Sequence, residues 1–69
     1  MTTSFTYDIH FNDSENSNSL GFAKSFTECE SYIKMYNGTD HSYFADYKGG
    51  EVSIVCNETG ESIKEVKIK

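Results

Sequence analysis

Only one stretch of this chain carries strong helical periodicity, and that constrains the fold more than any other feature. Ser25 stands three residues before Glu28, the spacing of a capping box, in which each residue satisfies an amide of the other at the helix start. Phe26, Cys29, Ile33 and Tyr36 then recur at helical spacing, with Tyr32 beside them. Glu28 and Glu30 fall in the first turn, where the helix dipole favours acids. Asn37-Gly38 ends the run, and Gly38 suits the left-handed position past the last turn. The spacing predicts a helix over 26–37. A 69-residue chain with one helix must bury that helix's apolar stripe on a sheet.

The remaining segments read mostly as strands and turns. Residues 4–11 alternate, with Phe5, Tyr7, Ile9 and Phe11 on one face and Thr6, Asp8 and His10 on the other. Residues 12–19 are all polar and read as a mobile loop. Leu20–Ala23 reads as a brief strand pairing back on the first, or as a lead-in to the helix anchored by Phe22. Residues 42–47 read as a strand, with Tyr43, Ala45 and Tyr47 on one face and Phe44 on the other. Lys48-Gly49-Gly50 then reads as a hairpin turn. Residues 51–57 alternate again, carrying Val52, Ile54 and Cys56 on one face, and Asn57–Gly60 forms a second turn. In the last strand, 61–68, Val66 and Ile68 are in phase and Ile63 is not. The slip implies a bulge near Lys64, or Ile63 pairing with Val55 on the opposite face. The expectation is one α+β domain over residues 1–69. One helix packs on a three- or four-stranded, mainly antiparallel sheet in the order β-α-β-β-β.

Composition says what fills the core. There are five Phe and five Tyr but a single Leu, so aromatic and β-branched side chains supply most of the buried area. The net charge of −5 resides in residues 1–47, where seven acids face two lysines, while residues 48–69 are neutral. The chain has no Arg. Phosphate recognition leans on Arg forks and positive charge, so the balance argues against nucleic acid and for a basic protein partner. The first residues carry neither a basic leader nor a long apolar run, so the expectation is a cytoplasmic protein with no membrane span. In that compartment Cys29 and Cys56 read as buried free thiols.

Catalytic and metal chemistry find little support. His10 falls on the outer face of a strand and His41 in a turn beside Asp40, and both read as exposed polar residues. Cys29 shares the helical phase of Phe26 and Ile33, which makes it a core residue before a nucleophile. Counting a calcium loop from Asp13 puts Asn18 and Lys24 where Gly and Glu are needed. No cofactor, metal site or catalytic residue is expected.

What remains is surface. One helix covers one face of a sheet, yet aromatics fall on both faces of the 42–47 segment. Phe44, Val55 and Ile63 would then line an apolar strip on the uncovered face, or Tyr43 and Tyr47 would if the phase is reversed, and a homodimer is the simplest cover. Asp13, Glu15, Glu28, Glu30 and Asp40 are the expected rim contacts for a basic partner. The overall shape resembles short bacterial and phage accessory proteins, which imply a role in binding or inhibiting another protein. The reading is a small, acidic, non-enzymatic protein-interaction module that self-associates. The alternative is a single-strand nucleic-acid binder that stacks bases on Tyr43, Phe44 and Tyr47.

Overall fold

The helix forms where its caps place it. In the computed structural model, which describes residues 5–69, α1 spans Phe26–Tyr36. Both halves of the capping box are made: the Glu28 amide donates to Ser25 Oγ and the Ser25 amide to Glu28 Oε1, each at 3.2 Å. Gly38 takes φ +91°, the left-handed stop expected after the last turn.

Among the described residues four strands form one antiparallel sheet: β1 (Tyr7–Asn12), β2 (Ser17–Ser19), β3 (Glu51–Cys56) and β4 (Ser62–Lys67). Their spatial order is β2-β1-β3-β4, and α1 lies over the two central strands. The expected start of the first strand at Ser4 lies outside the described residues. Ile9 and Phe11 of β1, Val52 and Ile54 of β3, and Cys29 and Ile33 of α1 close the core between the layers.

Three sequence expectations change. The polar stretch 12–19 is a hairpin rather than a loop. The Asp13 carboxylate accepts the amides of Glu15 and Asn16 at 2.8 and 2.7 Å, which sets the turn. The short β2 follows, paired with His10–Asn12. Ladder bonds need only backbone, so an edge strand with no apolar residue forms once the turn fixes its register. Of the two readings of residues 20–23, the lead-in to the helix anchored at Phe22 is the one that forms, and the brief strand that pairs back on β1 is β2, just ahead of it. The Leu20 amide still bonds the Ile9 carbonyl at 3.0 Å, then residues 21–23 leave the ladder with the Phe22 amide donating to Asp8, and the chain rejoins β1 at the Tyr7–Lys24 bridge.

The larger correction concerns 42–47, which is helical rather than extended. A 3-10 turn over Ser42–Phe44 continues through further turns, and the Tyr47 amide bonds the Tyr43 carbonyl at 3.0 Å. Tyr43, Phe44 and Tyr47 stand at i, i+1 and i+4, a spacing that fits a helical turn as well as a strand, and the segment has no β-branched residue to favour extension. Lys48-Gly49-Gly50 is therefore not a hairpin. Gly50 is needed for another reason: a Cβ there would lie 2.5 Å from the Asn12 carbonyl oxygen.

The phase slip in the last strand is a bulge. Ile54 faces Lys64 while Val55 faces Ser62, so Ile63 is the extra residue, and Ile63 does not pair with Val55.

Candidate functional site

The helix covers β1 and β3, and the inner face of the edge strand β4 lies beside it rather than beneath it. Between α1 and β4 runs a cleft of about 270 Å³. Its floor is apolar, made by Ile33, Ile54 and Val66. Lys34, Lys64 and Lys69 stand around it, so three of the chain's six basic side chains meet at one place on an acidic protein.

One carboxylate shares the site. Glu30 Oε2 accepts from Lys64 Nζ at 2.6 Å across the helix–strand gap, and that bond and charge hold the Glu30 carboxyl below its ordinary range. Asn37 closes one end. Its Nδ2 donates to the Lys67 carbonyl and its Oδ1 accepts the Lys69 amide, both at 3.0 Å. Among the described residues, Lys34 and Lys69 make no ion pair, so the cleft presents ammonium groups beside an apolar floor. Such a surface can seat an apolar side chain and hold a carboxylate next to it.

The residues singled out from the sequence are placed differently. Phe44 and Tyr47 are core: Phe44 is fully buried edge-on to Phe11 at 4.9 Å, and Tyr47 stacks on Phe11 at 6.0 Å. The Tyr47 hydroxyl accepts from Asn18 Nδ2 at 2.7 Å, tying β2 to this turn. Tyr43 packs beside Phe11 on the same cluster. These rings therefore do not form a stacking platform, and Phe44 joins no outer strip with Val55 and Ile63. Val55 is half-buried opposite Asp8, and Ile63 is exposed at the bulge.

The five expected rim acids are mostly engaged within the chain. Asp13 caps its turn, Glu28 closes the capping box, Glu30 pairs with Lys64, and Asp40 lies 3.3 Å from Lys48. Only Glu15 has no side-chain partner among the described residues. Each histidine has a partner other than Cys29. His10 Nε2 lies 3.2 Å from Asp8 Oδ2, while His41 stacks on Tyr36 at 3.8 Å. The Cys29 thiol is buried against the Tyr7 carbonyl, and burial pushes its pKa up, away from nucleophilic use. Cys29 and Cys56 are both free and buried, as expected.

Lys34, Lys64, Lys69 and Asn37 were missed as a site. A signal was available in β4: Lys64 shares the parity of Val66, so a lysine sits in the core phase of a strand. A lysine there marks a stretch the helix does not cover.

No family model matches this chain, and neither does any curated protein or solved structure. No helix of the described residues is long and apolar enough to cross a membrane.

Proposed function

We propose that this chain is a non-enzymatic protein-interaction module whose contact site is the α1–β4 cleft. Its partner presents an apolar side chain flanked by carboxylates. The carrying observation is the gathering of Lys34, Lys64 and Lys69 around the Ile33, Ile54 and Val66 floor, in a chain whose net charge is −5. Charge complementarity selects the occupant: the cleft holds three ammonium groups against the one carboxylate of Glu30. The apolar floor supplies affinity, and the lysines decide which apolar segments enter.

This reading keeps the interaction role expected from the sequence and moves its address. Four of the five acids expected to meet a basic partner already make hydrogen bonds or ion pairs within the chain. Reversing charge at the exposed Lys34 and Lys69 is the test. The double variant K34E/K69E should fold as the parent does and lose affinity for a capped glutamate–leucine peptide at least tenfold. Undiminished affinity would remove the cleft from the account.

A further inference from the structure

Among the described residues the β4 edge has no strand beyond it, yet it is not bare. Ile68 exchanges backbone bonds with Gly49 and Gly50, on the β3 side. By alternation, Lys67 and Glu65 direct their backbone groups outward, toward a missing neighbour. Asn37 occupies that place. Its side-chain amide donates to the Lys67 carbonyl and accepts the Lys69 N–H, the pair of bonds that one residue of a parallel neighbouring strand would make. A helix-capping residue thus imitates a strand at the outer edge of the sheet.

We propose that the Asn37 carboxamide guards a self-pairing edge, and that the partner this edge fits is β4 of a second copy. The residues of β4 determine the register. Only residues whose backbone groups point outward can exchange hydrogen bonds across the new seam. A two-fold axis must therefore pass through a residue of β4 rather than between two. An axis at Glu65 sets Glu65 against itself. An axis at Val66 sets each Glu65 opposite Lys67 of the second copy, so opposite charges meet on the outer face. Val66 then faces its own equivalent in a non-hydrogen-bonded pair, the closer kind. Both Glu65–Lys67 pairs need the Lys67 carbonyl that Asn37 holds. The paired span, Lys64–Ile68, lies clear of the bulge at Ile63. Release of the edge is a movement of the turn after α1, where Gly38 lies against Lys69.

The seam runs along the backbone edge of β4, while the side chains of Val66 and Asn37 also line the cleft. Association state reads the seam and peptide affinity reads the cleft, so either can fail without the other. The test compares association states by sedimentation and maps the seam by oxidation. The parent should sediment as a monomer, and Asn37→Ala should shift toward dimer at high concentration. Asn37→Asp, which keeps the acceptor for Lys69 but loses the donor to Lys67, should shift the same way and serves if Asn37→Ala folds poorly. In either background Glu65→Lys should reverse the shift, and E65K/K67E should restore it. Val66→Cys should cross-link to itself on oxidation, because residues facing across the axis lie within disulfide reach, whereas Lys67→Cys should not. A dimeric parent, monomeric Asn37 variants, or cross-linking at position 67 in preference to 66 would overturn the proposal.

Discussion

The Asp8 carboxylate accepts the Phe22 amide at 2.8 Å, and this bond holds the point where the chain leaves the sheet on its way to the helix. Asp8 is almost fully buried. The same oxygen also accepts the Ile9 amide at 2.7 Å, and Asn57 Nδ2 donates to the Phe22 carbonyl at 3.0 Å. Both backbone groups of Phe22 are thus satisfied by side chains while residues 21–23 are out of the ladder. Asp8→Ala should cost about 1–3 kcal/mol, the range for leaving a desolvated donor unpaired. Asp8→Asn keeps an acceptor oxygen and should cost less. Urea unfolding of the two variants against the parent measures the difference.

Acid should weaken the fold through the same residues that cap it. The Ser25 backbone and hydroxyl hold the Glu28 carboxyl below its ordinary range, and the Glu15 and Asn16 amides do so for Asp13. A carboxyl depressed in the folded state contributes stability above its unfolded pKa. That contribution is lost as pH falls through the folded value. The urea midpoint should therefore hold steady near neutrality and fall once pH drops below the ordinary carboxylate range. Glu28→Gln, which can still bond the Ser25 amide but does not titrate, should make that fall shallower.

Gly50→Ala should destabilise even though the φ of Gly50 lies outside the left-handed region. Its Cβ would meet backbone on two sides, the Asn12 carbonyl at 2.5 Å and the Tyr47 carbonyl at 3.2 Å, and neither is a flexible side-chain end. Gly49→Ala makes a useful contrast. Gly49 has open space around it but a φ of +88°, so its cost is the conformational one, about 1–2 kcal/mol. Thermal melts of both should place Gly50→Ala lower.

Phe44→Ala should cost about 3–5 kcal/mol, as expected for deleting a buried aromatic side chain. Calorimetry that finds less than 1 kcal/mol would mean that the 42–47 turn does not close the core over Phe11.

The contrast between α1 and the 42–47 segment explains how much of this fold is legible in the sequence. The helix carried several agreeing signals: a capping box, an apolar stripe, acids in the first turn and Gly38 after the last. Residues 42–47 offered only three aromatics at a spacing that two periodicities share, and helical turns prevailed because no β-branched residue opposed them. β2 carried no signal at all, since an all-polar edge strand rests on backbone bonds and on the Asp13 turn. The cleft was illegible for a further reason. Its lysines come from the helix end, the edge strand and the segment just past that strand, so it exists only once β4 is known to lie beside α1.

The proposed function rests on the cleft, and backbone-amide NMR of the labelled protein reads it directly. Titration with a capped glutamate–leucine peptide should shift the amides of Ile33, Lys34, Asn37, Ile54, Lys64, Val66 and Lys69, saturate, and weaken as salt is added. A lysine–leucine peptide of the same length should leave them in place. Shifts confined to the outer sheet face around His10 and Val55, or equal shifts with the lysine peptide, would contradict the account.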